Sequence, residues 1–235
     1  MQAKRKGLRI AILLTAAAIF VVITGVLFYV GNYLLSSIFL IFLLFLPFLY
    51  TFEKRRPDAR ELVIIAVMIT SSVVGRLAFQ TIPSFTPVTA LVIITAVAFG
   101  SQAGFLTGTM TALVSNLYIS QGLWTPWQML CWGFIGYFAG FLSKYVSTKR
   151  PKSIVILLLY GIFTSYLFCI VMNCFFLLST PISTTGGSLL SALVFSFPFD
   201  IRHVIATSLF LGLSFPILKN FERLKHKYGI GQSQQ

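Results

Sequence analysis

The chain has 235 residues, of which 57% are hydrophobic and 10% charged, with a mean hydropathy of +0.90. So little charge cannot cover the surface of a water-soluble domain of this size, which excludes a soluble globular protein. The formal net charge of +13 invites a nucleic-acid reading, but the placement of the charges argues against it. Lys and Arg gather in four clusters, at 4–9, 54–60, 144–152 and 219–227, each beside the end of an apolar run, and only Arg76 and Arg202 fall elsewhere. That is the positive-inside pattern of a polytopic membrane protein. Affinity for anionic cytoplasmic lipid is its by-product.

A bilayer span needs about 20 apolar residues, and the chain carries several such runs in succession. Lys4, Arg5, Lys6 and Arg9 precede the first, as in a signal peptide. That run continues from Ile10 to Val30 with no small-x-small site at its end, so a retained helix is expected. Leu34–Tyr50 is the second span, joined to the first by a tight Gly31-Asn32 turn outside the cell, and Phe52–Glu61 is a charged cytoplasmic connection. Leu62–Gln80 is the third span, followed by an outer turn at Thr81-Ile82-Pro83-Ser84. Phe85–Phe99 is the fourth, too short for a full crossing unless it is tilted or begins earlier. Gly100–Gln102 turns without charge into the fifth, Ala103–Tyr118. A tryptophan-rich break leads to the sixth, Trp127–Ser143, and Ile154–Leu178 is the seventh. Ser179–Pro198 reads as a long outer segment containing Thr184-Thr185-Gly186-Gly187. Counting back about 20 residues from Lys219 places the start of the eighth span at Phe199. The expectation is an all-α polytopic membrane protein of about eight transmembrane helices, with both termini cytoplasmic.

Ile119–Gly133 separates two spans yet contains no Lys, Arg, Asp or Glu, and it holds all three tryptophans, Trp124, Trp127 and Trp132. Pro126 suits the first turn of a following helix, where its missing N–H is no loss. Two readings stand for this stretch. One is an interfacial aromatic belt. The other is a binding platform in which indoles supply contact area and Gln121, Thr125 and Gln128 fix orientation.

Small residues recur at four-residue spacing, as Gly100, Gly104 and Gly108 and as Gly136 and Gly140, which permits close helix packing in lipid. Ala66 and Thr70, with Ser71 and Gly75 on the adjoining stripe, make a similar face on the third span. Charges inside spans cost at least about 2.5 kcal/mol each near the bilayer centre, so they face a cavity or one another. Arg76 lies near the outer end of the third span, and Asp200, Arg202 and His203 lie at that end of the last. Asp200 and Arg202 are two apart and point in different directions, which makes Arg76 with Asp200 the better pair. Asn116, Asn173 and Gln128 fall at the same depth. Cys131, Cys169 and Cys174 form no C-x-x-C pair and lack a nearby His, so no metal site is expected.

Enzyme signatures are missing. Gly186-Gly187-Ser188 lacks the pattern of an intramembrane serine protease, and there is no His-Glu-x-x-His and no phosphate-binding Gly-x-x-x-x-Gly-Lys-Ser/Thr. The chain therefore cannot hydrolyse ATP itself. No cofactor and no catalytic residue is expected.

Residues 61–223 resemble the substrate-binding S-components of energy-coupling factor vitamin transporters. The resemblance rests on Gly100-x3-Gly104-x3-Gly108, on Gln121-Gly122-Leu123-Trp124-Thr125-Pro126-Trp127-Gln128-Met129 with Gly133 and Gly136, and on Pro198-Phe199-Asp200-x-x-His203 leading to Glu222-Arg223. The pattern is most similar to the cobalamin-type S-components. It implies a six-helix substrate-binding core, here 61–235 with a basic cytoplasmic tail; the N-terminal helical hairpin and connection over 1–60 exceed that core. It implies a vitamin site at the outer face of a bacterial cell membrane, and partners comprising a membrane scaffold subunit and two cytoplasmic ATPases. In that family an Ala-x-x-x-Ala face docks the scaffold; the matching positions are Ala66 and Thr70, and the Thr departs from the pattern. The expected ligand-binding set is Arg76, Asn116, Gln121, Trp124, Trp127, Gln128, Asn173, Asp200 and His203. The ligand expected is cobalamin or a related corrinoid. The alternatives are another vitamin or small metabolite, a membrane enzyme acting through His203, or an assembly protein with no ligand.

Overall fold

The computed structural model describes residues 15, 18–27, 29–32, 35–36, 39, 59–147, 152–179 and 189–228. The basic positions at 4–9, 54–56 and 149–150, most of the second span and the Thr184–Gly187 turn lie outside the described residues. The chain divides into two compact units, Met1–Glu53 and Lys54–Gln235. In the first, the apolar helix Ala18–Leu27 precedes a turn in which Gly31 takes φ +81°. Ser36 Oγ donates to the Thr24 carbonyl at 3.2 Å, and the Phe20 and Phe39 rings lie 5.5 Å apart. Those two pairings are what a reversal of direction near residue 31 requires.

The described part of the second unit contains six α-helices: α1 (Ala59–Ala78), α2 (Val88–Phe99), α3 (Ser101–Ile119), α4 (Thr125–Ala139), α5 (Lys152–Ser179) and α6 (Leu189–Tyr228). A 3-10 turn, Gly140–Lys144, continues α4. Among the described residues, three helices are long and apolar enough to cross a membrane, over Ala59–Ala78, Lys152–Leu177 and Leu193–Leu224. Along α5, Val155, Leu159, Phe163, Tyr166 and Ile170 are exposed at three- and four-residue intervals. An apolar stripe of that length facing outward is a lipid-facing surface. The protein is a helical membrane protein.

The remaining helices differ from the expected full crossings for visible reasons. α2 has only 12 residues, and all but Leu91 are buried; it packs against α1, α3, α4, α5 and α6. It starts behind Pro87 and ends at Gly100, whose φ of +93° lets the chain turn directly into α3. No atom lies within 4 Å of a methyl built on Gly100, so this glycine serves the turn and not the ladder. α3 carries Thr107, Thr109, Thr111 and Ser115 on buried faces, which lowers its hydropathy without exposing it. α4 begins with Pro126 in its first turn.

α6 corrects the expected boundary most. It runs unbroken for 40 residues, starting ten residues before Phe199, with Pro198 and Pro216 inside it. A proline deletes one backbone donor, and a helix surrounded by protein and lipid keeps its path when neighbouring groups take up the freed carbonyls. Just beyond, the Pro198 carbonyl accepts from Arg202 Nε at 2.9 Å.

α3 and α4 are the most intimately packed pair. A methyl on Gly104 would stand 2.7 Å from the Gly136 carbonyl oxygen, and one on Gly136 would overlap the Gly104 backbone. One on Gly108 would overlap the Trp132 carbonyl, and one on Gly133 would stand 2.7 Å from Thr109 Oγ1. Gly75, in contrast, packs inward on the Pro87 ring, leaving Ala66, Thr70 and Ser71 exposed on α1.

Candidate ligand-binding site

Because the helices alternate in direction, the end of α1, the start of α2, the end of α3 and the start of α4 meet at one end of the unit. The end of α5 and the first half of α6 join them there. The described basic residues Arg60, Lys144, Lys152, Lys219, Arg223 and Lys227 lie toward the opposite helix ends. At the first end two cavities adjoin, of about 470 Å³ and about 230 Å³. Ser84, Phe168 and His203 line both.

Arg76 is the hub of the smaller cavity. Its Nη1 donates to Ser115 Oγ and, at 2.8 Å, to Asn116 Oδ1. Its Nη2 donates to Gln128 Oε1 at 3.3 Å. Asn116 Nδ2 in turn donates to Gln128 Oε1 and to Thr125 Oγ1, both at 2.9 Å, and Thr125 Oγ1 donates to Gln121 Oε1 at 2.9 Å. Ser115, Asn116 and Gln128, from α3 and α4, thus hold one guanidinium directly through neutral oxygens, with Thr125 and Gln121 bonded behind them. The guanidinium also sits 5.0 Å from the Trp132 ring, where cation–π attraction adds to the hydrogen bonds.

Trp132 starts a stack of three rings. Its indole lies 4.9 Å from Phe168, and Phe168 lies 5.0 Å from the His203 imidazole at an interplanar angle of 12°. Trp132 Nε1 donates to Thr89 Oγ1 at 3.1 Å, and that oxygen lies 3.2 Å from His203 Nε2. With the indole occupying the Thr89 oxygen as donor, the threonine proton is available to His203 Nε2. His203 is 3% exposed, and its hydroxyl partner is a threonine shared with an indole. That geometry positions the ring.

Asp200 lines the larger cavity. Its Oδ2 accepts from Ser196 Oγ at 2.8 Å and from Asn173 Nδ2 at 3.3 Å, while Asn173 also donates to Ser196 at 2.7 Å. Phe176, Phe195 and Phe199 supply apolar walls. Among the described residues no ion pair joins Arg76 to Asp200; the pairing expected from their depth is replaced by neutral partners that each finds nearer by. No group of three His, Cys, Asp or Glu among the described residues is placed to hold a metal ion.

Arg76, Gln128, Asn173, Asp200 and His203 line one cavity or the other. Asn116 and Gln121 stand behind, in the network that holds Arg76. Trp127 lies against Phe175 at 5.4 Å, and Trp124 is 38% exposed with its ring beside Gly122; neither lines these two cavities. The indole that does is Trp132. Its position four residues after Gln128 puts both on one helix face, a signal present in the sequence. Ser115 was reachable through its neighbour Asn116, and Ser196 through its i,i+4 relation to Asp200. Thr89, Phe168 and Ser84 carry no local signal. Ser84 has φ +64°, the one positive value at a non-glycine among the described residues, and strain of that kind gathers where function requires it.

The family of unknown function (DUF6580) matches residues 56–229. No curated protein and no solved structure matches the chain. With about three-quarters of its length matched, the chain belongs to the family of unknown function DUF6580.

Proposed function

We propose that this chain is the substrate-capturing membrane subunit of an ATP-driven vitamin importer of the energy-coupling factor type, and not an enzyme. The observation that carries the reading is the convergence of α1, α3, α4, α5, α6 and the loop before α2 on two adjoining cavities at the end of the bundle away from the clustered basic residues. The positive-inside rule turns the basic end to the cytoplasm, so the cavities open outward, where a captured ligand arrives. Arg76, Gln128, Asn173, Asp200 and His203 contact the ligand, and Asn116 and Gln121 hold Arg76 in place. Trp124 and Trp127 form the rim. Ala66 and Thr70, exposed on α1, offer the scaffold a small-residue face; Thr70 Oγ1 turns back to the Ala66 carbonyl at 2.9 Å, which removes the polar penalty of its departure from the Ala-x-x-x-Ala pattern. ATP hydrolysis belongs to the two cytoplasmic partners.

The resemblance favours cobalamin or a related corrinoid. The larger cavity, at about 470 Å³, falls in the range that encloses drug-sized molecules, and the smaller, at about 230 Å³, extends it, so a corrinoid would be held in part and a smaller vitamin wholly. The test is uptake. Cells expressing this chain with a scaffold and two ATPases are given radiolabelled cobalamin and a set of smaller vitamins. Uptake of one of them is expected, lost on deletion of this chain or of Walker-motif lysines in the ATPases. No chain-dependent uptake of any member, together with no co-purification of the ATPases, would overturn the reading.

A further inference from the structure

Resting on that capture reading, we propose that the two cavities form one site for a zwitterionic molecule, its carboxylate seated on Arg76 in the smaller and a cationic nitrogen on Asp200 in the larger.

Two opposite charges at one end of a membrane bundle would ordinarily lower their cost by pairing. Here they do not. Arg76 uses three of its five N–H donors on Ser115, Asn116 and Gln128. Nε–H and one Nη2–H remain, enough to chelate a carboxylate. Asn173 and Ser196 both donate to Asp200 on Oδ2, the Cys169 thiol also bonds the carboxylate, and among the described residues no nitrogen or oxygen donor reaches Oδ1. The lining of the smaller cavity holds Arg76 and no carboxylate; that of the larger holds Asp200 and no Lys or Arg. Each chamber therefore has one sign of charge, fixed in place by neutral side chains that leave part of the charged group open.

The chambers meet at Ser84, Phe168 and His203. The stacked Phe168 and His203 rings give the wall between them a flat face, which suits a planar or apolar middle segment. Phe176 and Phe195 line the Asp200 end beside Phe199, whose ring already carries the Arg202 guanidinium, and aromatic faces favour a cation over a neutral donor there. A ligand carrying one charge would complete one chamber and leave the other's ion desolvated and unpaired, which costs affinity. A molecule with both charges completes both.

The test uses the full chain, purified in mild detergent from cells grown in rich medium, then denatured, with the released small molecules identified by mass spectrometry. A molecule bearing both a carboxylate and a basic nitrogen is expected. A bound molecule that lacks either group overturns this inference and leaves the capture reading standing. No bound molecule overturns both. The occupancy of Arg76→Gln and Asp200→Asn chains is compared with the parent, and each is expected to retain at least tenfold less of the same molecule. Undiminished occupancy in either monodisperse variant also overturns the inference. Should Arg76→Gln not remain monodisperse, Arg76→Lys, which keeps the charge and loses the planar fork, takes its place with the same expected loss.

Discussion

Arg76 keeps its charge inside a membrane bundle because Ser115, Asn116 and Gln128 present oxygens to it at once. The same residue type on a lipid-facing position would have to reach for the interface. Thr89 works in a comparable way for neutral groups, receiving the Trp132 indole proton on the oxygen that faces His203. Trp132→Phe keeps a ring to stack on Phe168 and removes only that N–H. A loss of about 1 kcal/mol is expected, read as a lowered midpoint of thermal unfolding in detergent; an unchanged midpoint would mean the relay contributes nothing. Some of this chemistry was legible in the residues themselves, since a charge or amide inside an apolar run marks itself. The partners were not. Nothing local to Asp200 says that Asn173 on α5 will satisfy it before Arg76 does, because that choice depends on which helices touch.

Helix contacts decide such choices, and the glycine ladders are where they were most readable. Gly104 and Gly108 on α3 meet Gly136 and the Trp132–Gly133 backbone on α4 so closely that a single methyl has no room. Packing of this kind, and not exclusion of water, drives helices together in lipid. Gly136→Ala is expected to destabilise by roughly 2–3 kcal/mol through overpacking against backbone that cannot yield. Gly212→Ala, on α6 with no atom within 4 Å of the added methyl, is the control, expected to leave stability unchanged or raise it by up to about 1 kcal/mol. Parallel denaturation of the two variants in one detergent separates the cases; equal losses would mean the ladder does not set the contact. The start of α6 was less readable. Pro198 and the run Leu189–Phe197 look like a loop approaching a span, because proline weakens a helix locally. The uninterrupted helix depends on surroundings that no local window contains.

At the scale of the molecule, charge clusters and hydropathy foretold an all-helical membrane protein, and the crossing of helices at one end is what they left open. α2 is the feature with the longest reach. Its 12 residues rise about 18 Å, whereas the hydrocarbon layer is about 30 Å deep. The stretch 79–87 that precedes it is irregular backbone, which is tolerated at such depth only against protein or water. On the capture reading the smaller cavity, which this stretch lines, is an aqueous dip, and a dip compresses the electrical profile of the membrane. A full crossing is worth about 2.3 kcal/mol per elementary charge per 100 mV, so an ion descending partway would feel on the order of 1 kcal/mol of it. A molecule with balanced charges would feel almost none. In proteoliposomes held at opposite diffusion potentials, occupancy by the captured molecule is expected to stay the same within twofold; occupancy that follows the voltage would reveal a net charge on what enters. On that reading, the shortest of the six described helices of the second unit sets how far into the membrane's electrical profile the cavities reach.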